Sequence, residues 1–238
     1  MSASEALATE IELGNETEDA ASRAVSAYPP SVQPGIPKLG RKPEGWTRAP
    51  IGEFLEPVFR PAKLADDERY QLVTAKRSRG GIVPREVLFG RDIRTKTQFF
   101  VEAHDFLISK RQISHGACGI VPQSLDGAVV SNEYVALKPK AGIDLRFLNH
   151  LSHSVYFQQT CFHSSIGVHV EKLVFKLEDW LEWRFDIPPM AEQRRLADIF
   201  DSWDRIVFKT DAIVRAKRQR LSWLYSQIFP ASGTSLPK

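Results

Sequence analysis

The feature that most constrains this chain is the stretch that follows Pro188-Pro189. Neither glycine nor proline interrupts the sequence from Met190 to Phe229, and the two prolines suit an extended lead-in to a first helical turn. Residues 188–229 therefore predict one helix of about 40 residues, roughly 60 Å long at ~1.5 Å per residue. A helix of that length exceeds the reach of one small domain, so it predicts an architecture with a projecting element.

Apolar side chains recur along this helix in alternating steps of three and four, which is the a/d spacing of a coiled coil. The predicted helix interface consists of Leu196, Ile199, Trp203, Ile206, Thr210, Ile213, Leu221, Leu224 and Ile228. Around Lys217, two successive steps of four form a stutter, which locally unwinds a supercoil. The seam is narrow, and its flanks carry charge. Since the sequence holds no second copy of the pattern, we expect the partner helix to come from another molecule. Polar or bulky residues on the seam (Trp203, Thr210, Lys217) leave open a helix that folds back on its own domain.

Residues 47–187 are predicted to form one mixed domain. Four segments, YQLVTAK, TQFFVE, DFLISK and AVVSNEYVALKPK, are rich in β-branched and aromatic residues and predict strands. Asp144 suits the N-cap of a helix that continues to about Phe162, and shorter helices are expected within residues 51–58 and 177–183. Strands mixed with a few helices, without regular alternation, indicate an α+β fold rather than a doubly wound sheet.

The segments outside this domain differ from it in composition. Residues 1–27 are small, polar and acidic and predict a disordered leader, whereas residues 28–46 hold five prolines and three glycines and predict an extended linker. Residues 230–238 form a short tail. Residues 1–28 carry six acidic side chains and one basic one, a net charge of −5, so the rest of a chain with net charge +3 carries +8. A basic body is compatible with a polyanionic partner and also with an ordinary solvated surface.

The sequence contains no recognisable catalytic signature. Glycine-rich phosphate loops, a nucleophile elbow and a metalloprotease motif are missing, and Pro188-Pro189-Met190 follows Ile187 rather than the polar residue of an adenine-methyltransferase motif. The six histidines and two cysteines lack metal-ligand spacing, so we expect neither a metal nor a cofactor. No apolar run approaches the ~20 residues of a membrane span, and no secretory signal is recognisable. With two cysteines that fit a reducing compartment, these features predict a cytoplasmic protein.

Basic residues of the mixed domain lie beside predicted turns and strand ends. Lysine and arginine next to glycine suit contacts to phosphates or base edges, because glycine lets the backbone approach a ligand closely. Arginine also reads guanine through two parallel hydrogen bonds. The candidate DNA-binding residues are Lys76, Arg77, Arg79, Arg94, Lys110, Arg111, His115 and Asn132. Two polar turns, residues 112–119 and 130–134, are further candidates for shaping a recognition surface. A solvated face for the charges and tight packing for these turns are the alternative interpretations.

Three segments together resemble the specificity (S) subunits of type I restriction-modification systems. KLGRKPEGWTRAPIGEFLEPV is similar to the opening of a target recognition domain, and DFLISKRQISHGACGIVPQSLDGAVVSNEYVALKP to the middle of some such domains. IPPMAEQRRLADIFDSWDRIV resembles the junction between a recognition domain and the conserved helix, and it is the most specific of the three. The resemblance covers about residues 28–229.

The resemblance implies a non-catalytic subunit of a phage-defence complex. Its target recognition domain would read one half of a split site in double-stranded DNA, and its helix would pair antiparallel with a second helix as a spacer. The implied partners are a modification subunit that methylates adenine and a restriction subunit. The family usually has two recognition domains and two helices, so we expect a half-subunit that pairs with itself or with another half-subunit.

The same departure from the family pattern leaves a second function open. A truncated subunit would bind modification subunits through its helix, as a scaffold or decoy that does not read DNA. DNA binding that weakens steeply with salt favours the reader, and no measurable DNA affinity favours the scaffold. A stand-alone nuclease is disfavoured, because no carboxylate and lysine constellation of nuclease type is visible. The sequence gives no DNA motif.

Overall fold

The computed structural model describes residues 35–229. The predicted acidic leader, residues 28–34 of the predicted linker and the predicted tail lie outside the described residues. Within them, a mixed domain of strands and short helices is followed by one long helix.

The domain contains many short strands and few helices. The strands are β1 (Thr47–Pro50), β2 (Leu55–Val58), β3 (Pro61–Ala62), β4 (Arg69–Ala75), β5 (Ile82–Phe89), β6 (Gln98–Phe100), β7 (Phe106–Ser109), β8 (Cys118–Ile120), β9 (Val129–Ser131), β10 (Tyr134–Pro139), β11 (Ser165–Ile166), β12 (Val174–Phe175) and β13 (Arg184–Ile187). The helices are α1 (Leu145–Leu151), α2 (Val155–His163), α3 (Leu177–Leu181) and α4 (Met190–Ile228). This combination confirms the predicted α+β class with a long C-terminal helix.

Two larger sheets form the centre of the domain. One has the strand order β2-β10-β7-β8 and the other β3-β6-β9-β4-β5, and two-stranded pairs β1-β13 and β11-β12 complete the fold. β7 is buried along its whole length, because its neighbouring side chains enter different cores. Phe106 and Ile108 pack with α1, α2 and α3, whereas Leu107 packs with residues of β4, β5 and β9. The chain is therefore layered, with helices, the four-stranded sheet and the five-stranded sheet in succession.

Aromatic side chains fill the core on the helical side of the four-stranded sheet. Trp180 is fully buried, lies 5.2 Å from Phe157 between ring centroids, and donates its indole N–H to Thr160 Oγ1 at 3.1 Å. Both cysteines lie in this core as free thiols. Burial raises the pKa of Cys118 to about 12, so the thiol stays protonated and acts as a small apolar side chain.

Two local predictions differ from the structure, and strand β5 was not predicted. Residues 51–58 form a 3-10 turn, Ile51–Glu53, followed by strand β2 rather than a helix, because β2 finds hydrogen-bond partners on β10. Asp144 does cap a helix, accepting the N–H of Arg146 at 2.9 Å, but that helix ends at Leu151. Ser154 then caps α2, so the predicted single helix is two. β5 escaped prediction because Pro84 and adjacent charges interrupt its alternation, which an edge strand tolerates.

The long helix begins on the domain and is fixed there by Gln193. This side chain is buried, accepts the N–H of Asp144 at 2.7 Å, and donates to the carbonyls of Gly142 and Pro188, each at 2.8 Å. Ala197, one turn later, is also buried. Because all these hydrogen bonds are sheltered from water, they fix the direction in which α4 leaves the domain.

Charged contacts continue this attachment for another turn. Arg146 donates to Asp198 at 2.8 Å and to Asp201 at 3.0 Å, and His150 Nε2 lies 2.7 Å from Asp201 Oδ1. From Trp203 to Phe229 every residue is exposed. The described helix therefore does not fold back over its own domain, and its distal part extends roughly 39 Å at ~1.5 Å per residue.

Candidate nucleic-acid interface

Three turns meet at one edge of the domain, and we call them the turn cluster (residues 76–81, 110–117 and 131–134). Ser78 N–H donates to the carbonyl of His115 at 2.7 Å, and Arg79 N–H donates to that of Gly116 at 3.1 Å. Lys110 N–H donates to the carbonyl of Glu133 at 2.8 Å, which joins the third turn to the second. Backbone hydrogen bonds therefore fix turns that lie far apart in sequence into one surface.

The turn cluster collects most of the predicted DNA-binding residues. It contains Lys76, Arg77, Arg79, Lys110, Arg111, His115 and Asn132. Five of its side chains are lysine or arginine and one, Glu133, is acidic, so the surface is strongly positive. Whether any of these residues touches DNA remains a prediction, but the sequence clusters converge in space.

Hydrogen bonds orient the cations of the turn cluster without removing them from solvent. Arg77 Nε donates to Gln112 Oε1 at 2.7 Å, and Lys110 Nζ donates to the carbonyl of Asn132 at 2.8 Å. Arg111 Nε pairs with Glu133 at 2.7 Å, with both side chains more than two-fifths exposed. Exposed pairs of this kind contribute only about 0–1 kcal/mol, so a phosphate group competes for Arg111 at small cost.

Arg94 lies outside the three turns of the turn cluster. It follows the 3-10 turn Gly90–Asp92 and lines a cavity of about 480 Å³ on the five-stranded sheet. Arg85, Gln98 and Tyr134 also line that cavity. Because Ser131 and Tyr134 of the turn cluster line the same cavity, Arg94 borders the cluster without belonging to its turns.

Two residues of this edge were not among the predicted DNA-binding residues, although the polar turn that contains Gln112 was a predicted part of the recognition surface. Gln112 positions Arg77, as described above. Phe59 follows β2, is 69% exposed, and shares a small recess of about 60 Å³ with Lys110 and Asn132. A lone aromatic after a strand gives no signal in the sequence, because only the pairing of β2 with β10 brings it beside the turn cluster.

The distal part of α4 presents a second exposed surface, which we call the apolar stripe. It consists of Ile199, Phe200, Trp203, Ile206, Val207, Thr210, Ile213, Val214, Leu221, Leu224, Tyr225 and Ile228, all exposed. At ~100° per residue these side chains span about 140° of the helix circumference. The stripe is wider than the predicted seam, because Phe200, Val207 and Val214 recur every seven residues along one flank. Leu196, the first predicted seam residue, instead packs partly against the core of the domain.

Two negative findings apply to the described residues alone. Within residues 35–229, histidine, cysteine, aspartate and glutamate side chains form no group of three or more that would hold a metal ion. None of the helices in that range combines the length and apolar character needed to cross a membrane.

Comparisons with known proteins agree with this architecture at the level of fold. No protein-family model and no curated protein matches the chain. The HsdS subunit from Thermoanaerobacter tengcongensis superimposes with a TM-score of 0.62 at 20% identity, over 83% of this chain and 53% of that one. A structure described under complex assembly and conformational transition of the type I R-M system gives a TM-score of 0.57 at 18% identity, over 91% and 54%. The type I restriction-modification S subunit from M. genitalium gives 0.50 at 13%, over 83% and 50%.

These likenesses show that the chain has the fold of a type I specificity subunit, which confirms the resemblance found in the sequence at that level. The chain spans about half the length of each of the three structures.

Proposed function

We propose that this protein is a DNA-recognition component of a type I restriction-modification complex, in which the domain reads one half of a split site. The observation that carries the proposal is the turn cluster, where five basic side chains from three separate turns converge at one edge of a specificity-subunit fold. In this role the chain catalyses no reaction itself, and partner subunits carry out adenine methylation and DNA cleavage.

The shape of the turn cluster suits duplex DNA. Its centre is the tip of the β4–β5 hairpin, and a two-stranded ribbon fits the major groove, which is about 12 Å wide. Asn132 and Phe59 at the same edge add an amide and an apolar face, which suit adenine and the thymine methyl group respectively. Lysines beside them suit phosphates, which position a protein on DNA without specifying sequence.

The long helix supplies the second part of the proposed role. A stripe limited to a and d positions serves a two-helix seam, whereas a stripe that adds a third position in each heptad suits a bundle with more neighbours. We assign one flank of the apolar stripe to a second specificity helix and the other to a modification subunit. Full-length α4 measures roughly 58 Å at ~1.5 Å per residue, enough to separate two domains by one to two DNA turns of ~34 Å.

The test is DNA binding by the full chain together with its modification subunit, followed across salt concentration. We expect affinity to fall steeply between about 50 and about 200 mM salt, since several phosphates are neutralised. Replacing Lys76 and Lys110 together by glutamine should reduce the slope of log affinity against log salt by about two. As a matched control, Arg205→Gln and Arg215→Gln remove two exposed charges from α4 outside the apolar stripe and should leave the slope unchanged.

An intact complex with no measurable DNA affinity would contradict the proposal. The chain would then act as the scaffold or decoy, which binds modification subunits through α4 alone.

A further inference from the structure

We propose that Arg79 and His153 form a phosphate-binding subsite between the turn cluster and the base of α4. This subsite rests on the proposed function, and it extends the path of the DNA backbone from the hairpin tip toward the long helix. Neither the basic clusters of the sequence nor the fold comparisons assign His153 to DNA binding.

At the tip of the β4–β5 hairpin, Arg79 occupies a position whose backbone conformation favours a different residue type. Ser78 and Arg79 have φ values of +54° and +60°, and Gly80 N–H donates to the carbonyl of Arg77 at 3.1 Å. This is a type I′ turn, whose two central positions are usually Asn-Gly. A non-glycine residue in the left-handed region is strained, and such strain concentrates at functional sites. The turn therefore retains the Arg79 side chain against its own conformational preference.

The Arg79 side chain runs back from the turn across Gly116. A Cβ atom added to Gly116 would lie 3.3 Å from Arg79 Cγ, and Gly116 itself has a φ of +75°. Arg79 is half-buried, and its Nε is buried without a hydrogen-bond partner. Within residues 35–229 no carboxylate forms an ion pair with it. A buried guanidinium donor without an acceptor is rare in folded proteins and calls for an explanation.

His153 lies just beyond the C-terminal end of α1, and α1 packs against β8, the strand that follows Gly116 and the Arg79 side chain lying against it. Its N–H donates to the carbonyl of His150 at 2.9 Å, and the two imidazole rings are 6.0 Å apart. Partial burial, the Arg79 guanidinium from the β4–β5 turn and His150 from α1 lower the pKa of His153, whereas Asp204 from α4 opposes them. The imidazole is still exposed to solvent. The lowered pKa favours the neutral form of His153, and its exposure leaves the ring within reach of a bound anion.

A phosphate oxygen supplies what this arrangement lacks. The Arg79 side chain is only half-buried, so part of its guanidinium is open to a ligand, and guanidinium groups bind phosphate through two parallel hydrogen bonds. The negative charge of the phosphate offsets the positive charge of Arg79 and raises the pKa of His153. DNA binding then takes up a proton, so affinity rises as pH falls through the range in which the free imidazole is neutral.

The first experiment measures affinity of the full chain, in the complex that binds DNA, for a labelled duplex of mixed sequence. Phosphate contacts do not depend on sequence, so no recognition motif is needed. We expect the wild-type protein to bind about fivefold more tightly near pH 6 than near pH 8, and His153→Gln to remove most of that difference. His169→Gln, which replaces an exposed histidine elsewhere, should retain it. Arg79→Gln should lower the salt slope by about one.

A second experiment separates the role of Arg79 in binding from its role in folding. Replacing Ser78-Arg79 by Asn-Gly gives the turn its preferred residues and should raise the melting temperature. The same variant should bind the duplex about tenfold more weakly, because the guanidinium is gone. Higher stability with weaker binding excludes misfolding as the cause.

The outcomes distinguish this subsite from the broader proposal. A wild-type complex without DNA affinity defeats the proposed function and the subsite with it. Normal DNA affinity, with an unchanged pH dependence in His153→Gln and an unchanged salt slope in Arg79→Gln, overturns the subsite alone.

Discussion

The domain buries most of its large apolar side chains, whereas the distal half of α4 exposes them. In the domain, Trp180 is fully buried and hydrogen-bonded, whereas Trp203 on the helix is 62% exposed. Gln193 marks the border, because it is the last polar side chain that the domain buries. A buried and an exposed tryptophan thus lie only 23 positions apart, and the exposed apolar surface is where we propose that partners bind.

The strongest test of this contrast replaces each of the two tryptophans in turn. Trp180→Ala removes the largest buried side chain and should lower the free energy of unfolding by about 3–5 kcal/mol. Trp203→Ala removes a side chain that touches no core and should change the unfolding of the domain by less than about 0.5 kcal/mol. Denaturant titration of both variants measures the difference. Equal losses would mean that the helix contributes to the stability of the domain.

The next test concerns assembly through the apolar stripe. Ile206→Asp would bury an unpaired carboxylate at any helix interface, at a cost on the order of 3 kcal/mol, and should dissociate the partner. Ser226→Asp adds the same group on the opposite face of α4 and should not. Light scattering gives the mass of each variant, and an unchanged mass for Ile206→Asp would exclude the stripe as the interface.

A smaller effect is expected at the border itself. Gln193→Ala removes three hydrogen bonds between α4 and the domain and leaves the Asp144 N–H unpaired, with an expected loss of about 1–3 kcal/mol. The first turns of α4 should then exchange their amide hydrogens faster. Gln227→Ala, at an exposed position of the same helix, serves as the control. Unaltered exchange after Gln193→Ala would show that the direction of the helix is set by other contacts.

The smallest effect is a pH dependence of the same attachment. Burial disfavours the charged form of Asp201, but the hydrogen bonds and charges of His150 and Arg146 outweigh it and lower its pKa. A lowered pKa contributes stability that is present above the unfolded value and is lost as pH falls through the folded value. Because Asp201 is more than a third exposed, we expect less than about 1 kcal/mol. Asp201→Asn should remove this loss of stability at low pH. The measurement is amide hydrogen exchange in the first turns of α4 across a series of pH values.

Periodicity and the prolines were enough to predict α4, because a long amphipathic helix is a local pattern. The heptad spacing also predicted most of the apolar stripe, but not the width added by Phe200, Val207 and Val214. The pairing of β2 with β10 depends on residues about 80 positions apart, so residues 51–58 read as a helix in isolation.

The candidate site, like the fold, was predictable from local sequence only in part. Residue type identified the basic side chains of the turn cluster, while Phe59, Gln112 and His153 join that edge or its surroundings only through tertiary contacts. Arg94 belongs by residue type to the same set, yet it follows a different turn and only borders the turn cluster, through the cavity that it shares with Tyr134. Residue type therefore predicted the chemistry of the surface, whereas tertiary contacts determine which residues belong to it.

The most direct measurement tests whether the domain recognises a half-site and whether the length of α4 sets the distance between half-sites. Insertion of one heptad into α4 after Arg215 lengthens the helix by ~10.5 Å, equivalent to about three base pairs at ~3.4 Å each. Complexes of the wild-type and lengthened chains with the modification subunit would each select binding sites from a degenerate DNA library. We expect both to enrich the same two half-sites, with a spacing that is about one to three base pairs longer for the lengthened chain. Enrichment of no split site by an intact wild-type complex, or the same spacing for both chains, would contradict the account.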